Sequence, residues 1–159
     1  MLKPAKDIMT RNVISITGEK TLQEAVDLMA RNNISGLPVT DDRNVLTGII
    51  SNTDIISYSQ KVNVVPLFDP SGWISPHAEI TDLTSIRRGM DMLAKTKVST
   101  LMKKKVYTAG EESDIIKIAG LMSRRQVNRV PIVDREGKLT GIITRADMVK
   151  SIANPDDSI

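Results

Sequence analysis

Shifted by 93 positions, the chain lies on itself: residues 7–56 align with 100–149 without a gap, and fourteen positions are identical. Among them are Met9/Met102, Glu19/Glu112, Leu28/Leu121, Met29/Met122, Arg31/Arg124, Pro38/Pro131 and Asp41/Asp134. The longest shared run is Leu46-Thr-Gly-Ile-Ile50 against Leu139-Thr-Gly-Ile-Ile143, followed by Asp54 against Asp147. An internal repeat decides the architecture before composition does, because both copies must form the same supersecondary unit. At 159 residues the chain is one ordinary domain or two small repeats sharing a core.

Each copy reads strand, helix, strand, strand, helix. Val13–Ile16 and Val106–Thr108 are short β-rich runs. Thr21-Leu-Gln-Glu24 has the spacing of a capping box, and Leu22, Ala25, Val26, Leu28 and Met29 follow at helical intervals. In the second copy Ser113 or Asp114 is the expected cap, ahead of Ile115, Ile118, Ala119, Leu121 and Met122. Leu37–Thr40 and Val130–Val133 are the next strands, and their prolines predict strand starts or edges, since proline cannot donate to a ladder. Asn44 and Gly137 suit turn positions with positive φ. The hairpins deliver the chain into the shared strands, and closing helices are expected from near Thr53 and Ala146.

Residues 57–99 have no counterpart in the repeat. Pro66, Pro70, Gly72 and Pro76 predict an irregular start, and Trp73 is expected to anchor it to the core. Leu83, Ile86, Met90 and Leu93 predict an amphipathic helix over about 81–95. The expected boundaries are copies at 1–60 and 100–154, an insertion at 61–99, and a frayed tail from 155 bearing Asp156 and Asp157.

Composition narrows the function classes. The chain has no cysteine, hence no disulfide framework, thiolate metal site or thiol nucleophile. His77 stands alone, without metal-ligand spacing. No apolar run is long enough to span a bilayer, and no signal-type segment follows Met1–Lys6, so the expected location is cytoplasmic. Residues 100–150 carry eleven Lys and Arg against six Asp and Glu, which is compatible with an anionic small ligand or, as a lesser alternative, with nucleic acid. With aromatics at 3%, a base-stacking nucleic-acid surface is not expected. No nucleophile–base–orienter set and no Gly-rich phosphate loop is present, so the expectation is a protein that binds rather than catalyses.

The lead-in Asp7-Ile-Met-Thr10, the run Ile34-Ser-Gly-Leu-Pro-Val39 and the stretch Leu46-Thr-Gly-Ile-Ile-Ser-Asn-Thr-Asp54 together resemble the CBS domain. Val127-Asn-Arg-Val-Pro-Ile-Val-Asp134 with Gly141-Ile-Ile-Thr-Arg-Ala-Asp147 resembles it again, so the pair is similar to a stand-alone Bateman module. The resemblance implies a mixed α/β (α+β) fold of two β-α-β-β-α repeats packed about a pseudo-twofold axis. It also implies a regulatory sensor that requires no cofactor but binds AMP, ADP or ATP, with S-adenosylmethionine or NAD as alternatives. Such modules commonly form homodimers and act on a regulated partner protein, which the sequence does not name. No membrane partner is expected.

The chemistry of the carried-over residues agrees with that implication. One carboxylate can accept from both hydroxyls of a ribose, which suits Asp54 and Asp147. Ser51 and Thr144 end the strands with a hydroxyl able to donate to a ribose or phosphate oxygen, and each helix start is expected to offer free amides to an anion. Pro38, Pro131 and the β-branched strands give flat apolar walls for adenine, with Thr10 and Ile14 of the lead-in included. Arg129 is the expected phosphate ligand, and Lys103, with Lys104, Lys105 and Arg145, is expected to add to the field there. Gly36 stands where Arg129 stands in the second copy, so phosphorylated ligands are expected to favour the second site. A constitutive dimerisation scaffold with vestigial clefts is the competing expectation. Two capping boxes without a ligand role would serve it equally well.

Overall fold

The computed structural model describes residues 3–62 and 83–153, so the expectations for Trp73, His77, the proline-rich stretch, Asp156 and Asp157 lie outside the described residues. The fold is mixed, with helices around two small sheets, and divides into two units that cut across the sequence repeats. One unit joins Ser15–Asp41 to Thr47–Lys104; the other joins Met1–Ile14, Asp42–Leu46 and Lys105–Ile159.

The first unit holds the first copy's sheet, in the order β1 (Ile16–Thr17), β2 (Gly36–Thr40), β3 (Leu46–Ser51). β1 runs parallel to β2, with Ile16 opposite Val39 and Thr17 opposite Thr40. Between them, α1 (Leu22–Arg31) begins at the expected capping box: the Thr21 hydroxyl accepts from the Glu24 amide, and the Glu24 carboxylate accepts from the Thr21 amide at 2.8 Å. Its buried Leu22, Ala25 and Met29 share one face. α2 (Asn52–Lys61) follows β3 directly, and α3 (Leu83–Lys95) packs on α1. The expected insertion helix is thus present. Leu93 is buried as its spacing requires, but Met90 is 56% exposed and does not join the packed face.

From α3 the chain returns along the start of α1. Leu22 donates to the Thr96 carbonyl, and Val98, opening the short α4 (Val98–Leu101), donates to the Lys20 carbonyl. The chain then reaches the free edge of β3. There Lys103 and Ile49 exchange both backbone hydrogen bonds, at 2.9 and 3.0 Å. The lead-in of the second copy therefore completes the sheet of the first.

The other unit mirrors this. α5 (Ile115–Arg125) starts at Asp114, whose side chain accepts from the Ile116 amide, and is followed by the hairpin β4 (Arg129–Val133), β5 (Leu139–Thr144) and by α6 (Arg145–Ala153). Thr10, from the first copy's lead-in, exchanges both backbone bonds with Ile142 at 2.9 and 3.0 Å. Ala5 and Met9 join Ile118, Met122, Val130, Ile132 and Ile143 in its buried core. Asn44 (φ 64°) and Gly137 (φ 79°) take the expected left-handed turns.

Two strand expectations need correction. The first strand is only Ile16–Thr17 rather than Val13–Ile16, and Val106–Thr108 forms no strand; Ala109 alone bridges to Ile132. Pro38 sits in the middle of the central strand β2, not at a start or edge; Pro131 also sits mid-strand, but β4 is an edge strand of its two-stranded sheet. One arrangement explains both corrections. The Pro131 carbonyl accepts from Ala109, on the side away from β5, so the ring nitrogen also faces that side. The neighbouring stretch is too short to need a donor there, and the ladder to β5 loses nothing.

Candidate functional site

Each shared strand ends at a hydroxyl that caps the helix after it. At the first junction, Asp54 Oδ2 accepts from the Ser51 amide at 2.9 Å and from Ser51 Oγ at 2.8 Å, while Ser51 Oγ accepts from the Asp54 amide at 3.3 Å. At the second, Asp147 Oδ2 accepts from the Thr144 amide at 2.8 Å and from Thr144 Oγ1 at 2.7 Å, and the Asp147 amide donates back at 3.3 Å. In both, the cap uses one carboxylate oxygen and leaves the other over. The hydroxyl proton is engaged by the carboxylate, so Ser51 and Thr144 hold the two aspartates in place.

The expected free amides are mostly taken. Asn52 donates to the Ser35 carbonyl at 3.0 Å, Thr53 to the Asn52 side chain at 2.8 Å, and Arg145 to the Asn128 carbonyl at 3.1 Å. What each junction presents is therefore a carboxylate oxygen more than a ring of N–H groups.

Strand register brings the remaining residues to these junctions. Arg129 pairs with Thr144, Pro131 with Ile142, and Thr10 with Ile142 from the other side, so all lie on one face of the sheet by the two-residue alternation of strands. Arg129, Pro131, Thr10, Thr144 and Asp147 are thereby assembled in one unit. Ile14 belongs to the same unit, half-buried and outside any strand. Pro38, Ser51 and Asp54 are assembled in the other, with Gly36 in the place of Arg129.

The lead-in exchange carries Lys103 to the first junction. Its Nζ lies 2.9 Å from Asp54 Oδ1, the oxygen that the cap leaves over. Lys105 and Arg125 instead face the ring of Tyr107, at 5.8 and 4.9 Å from its centroid. At the second junction the cationic residue is Arg129, which stands opposite Thr144 in the strand register.

Sequence reasoning also missed why Met9/Met102 and Gly48/Gly141 recur. A Cβ on Gly48 would lie 2.6 Å from the Met102 sulfur, and one on Gly141 would collide with the Met9 sulfur. Glycine is needed for the close approach of the exchanged methionine.

A groove of about 500 Å³ lies along β1 and the outer face of α1, lined in part by Ser15, Thr17, Lys20, Glu24, Arg31 and Thr40. Thr40 ends β2 at the opposite end from Gly36, so this groove is separate from the Ser51 junction. Among the described residues there is no cluster of His, Asp or Glu able to hold a metal, and no helix is long and apolar enough to cross a membrane.

Comparison with known proteins matches the CBS domain family model to residues 5–61 and 98–154. An uncharacterized protein of Methanocaldococcus jannaschii is 32% identical over 152 residues, covering 92% of this chain and 89% of that one. Inosine-5'-monophosphate dehydrogenases also match, but the chain spans only 23% to 26% of their length. Among solved structures, the CBS domain of a CBS-domain-containing membrane protein from Sphaerobacter thermophilus is similar with a TM-score of 0.75 and 28% identity, covering 94% of this chain and 87% of that one. CBSX2 of Arabidopsis thaliana, solved in complex with AMP, is similar in fold with a TM-score of 0.72 at 21% identity, covering 97% and 98%.

Proposed function

The chain belongs to the CBS-domain family, and from that premise we propose that it is a regulatory module sensing an adenosine-containing ligand at its two strand-to-helix junctions. The observation that carries the reading is the second junction. Asp147 is held by one oxygen in the Thr144 cap, and among the described residues its other oxygen has no partner. A carboxylate fixed in this way is pre-organised to accept from a ribose diol, with Arg129 across the strand pair for a phosphate and the buried Pro131 in the wall. Proteins with the same fold solved with AMP, or with 5'-methylthioadenosine and S-adenosyl-L-methionine, support adenosine-containing compounds as the ligands to try, AMP, ADP and ATP beside S-adenosylmethionine and NAD. In this reading the protein binds without catalysing, and the ligand acts by binding one arrangement of the repeats, or of a homodimer, better than another. The copies occupy 1–60 and 100–154, and 61–99 is an insertion between them.

The test is thermal stability of protein first freed of co-purified nucleotide, with AMP, ADP, ATP, S-adenosylmethionine, NAD and GTP in turn. A ligand that binds only the native state raises the midpoint by mass action. We expect a rise with at least one adenosine compound and its loss in Asp147→Asn. That variant keeps an amide oxygen for the cap while replacing the ligand-facing acceptor by a donor. No rise with any compound would leave a constitutive scaffold as the better account.

A further inference from the structure

The two junctions differ at one oxygen. Asp147 Oδ1 has no partner among the described residues, whereas Asp54 Oδ1 is held by Lys103. The lysine backbone is fixed by its two hydrogen bonds to Ile49, so only the stem above it can move. Its ammonium stands on the solvent side of the carboxylate: Lys103 is 68% exposed and Asp54 13%. An ion pair this exposed is displaced at small cost. In the repeat, Lys103 corresponds to Thr10, which is uncharged.

We infer that Lys103 determines specificity at the Asp54 junction, making occupancy there depend on a phosphate carried by the adenosine compound. This inference rests on the nucleotide-sensing reading above. A ribose diol that reaches Asp54 takes over the oxygen held by Lys103. A neutral nucleoside leaves the displaced ammonium without an anion and gains nothing from it. A nucleotide supplies a phosphate within reach of the same flexible stem, and the ammonium exchanges one anion for another. The Asp147 junction has no such plug and accepts the diol directly. The chain thus carries two junctions of different selectivity, the difference arising from which lead-in crosses to which sheet.

The experiment uses the full chain in an Asp147→Asn background, so that the Asp54 junction alone reports, and measures AMP and adenosine affinity by calorimetry. We expect Lys103→Gln to weaken AMP by about tenfold, the scale of one charge-assisted hydrogen bond. Adenosine should bind as before or slightly tighter, and Lys103→Arg should keep the preference for AMP. Conversely, Thr10→Lys in an Asp54→Asn background should raise the ratio of AMP to adenosine affinity at the Asp147 junction. AMP binding that Asp54→Asn removes but Lys103→Gln leaves intact, or equal weakening of both ligands, overturns this inference and spares the sensor reading. Failure of the unsubstituted chain to bind AMP overturns this inference, whereas the sensor reading falls only if none of the adenosine compounds raises the thermal midpoint.

Discussion

A methyl group on Gly141 would meet the sulfur, Cγ and Cβ of Met9, a side chain that is itself only 8% exposed. The neighbour can give way only by leaving its place in the core, so Gly141→Ala should destabilise the protein by about 1–3 kcal/mol, the usual cost of overpacking. Chemical denaturation checks this. In a Met9→Ala background the same substitution should cost markedly less, because the obstructing sulfur is gone. Equal costs in both backgrounds would mean that the backbone of the strand, not the methionine, sets the requirement. The sequence displayed both members of this pair as repeat identities. It could not show that they touch, since Met9 and Gly141 are neighbours in space across more than a hundred positions. The aspartates were legible for a different reason: hydroxyl and carboxylate three residues apart form a local motif whose geometry the helix itself supplies. The pairing of Lys103 with Asp54 was not legible, because it depends on chain crossing, which no local pattern encodes.

At the level of the element, α1 illustrates how a cap couples a helix to pH. The Glu24 carboxyl is held below its ordinary value, first by the hydrogen bond from the Thr21 amide and then by Lys20, which lies 2.9 Å away. With the folded value depressed, the native state binds fewer protons than the unfolded chain. The contribution is therefore complete above the ordinary carboxylate value of 4.5 and is lost as pH falls through the lower, folded value. Denaturant midpoints measured from neutral pH into this acidic range should fall less steeply in Glu24→Gln than in the unsubstituted protein. Identical slopes would show that other carboxylates govern the acid limb. Helices were the most legible elements, because caps and apolar spacing are both local; α1 and α5 stand where Thr21 and Asp114 predicted them. Strands fared worse. The runs Val13–Ile16 and Val106–Thr108 have β-forming residues, but a strand exists only where a neighbour offers a ladder. Beside β2 and β4 only the pairs Ile16/Val39, Thr17/Thr40 and Ala109/Ile132 do so.

For the molecule as a whole, the organising fact is that each sheet is finished by the other copy's lead-in. Thr10→Pro tests this without removing a segment, since it deletes the donor that bonds the Ile142 carbonyl at 2.9 Å. Amide exchange at Ile142 should accelerate, while Ile49, bonded to Lys103, should exchange as in the unsubstituted protein. Acceleration at Ile49 instead would place the first lead-in on its own copy's sheet. The 93-residue period established which residues are equivalent but was silent on this pairing, because exchanged and unexchanged chains have the same repeat.

The crossing has a historical consequence. A single copy carries a lead-in that its own sheet does not use and lacks the one that its sheet accepts. A one-copy ancestor could have satisfied itself only by mutual donation between two identical chains, so that its folding depended on concentration. Two copies in one chain make such a partnership intramolecular, and so independent of dilution. They also lift the obligation of the halves to be identical. Thr10 and Lys103, or Gly36 and Arg129, are differences that a symmetric pair of identical chains could never have held.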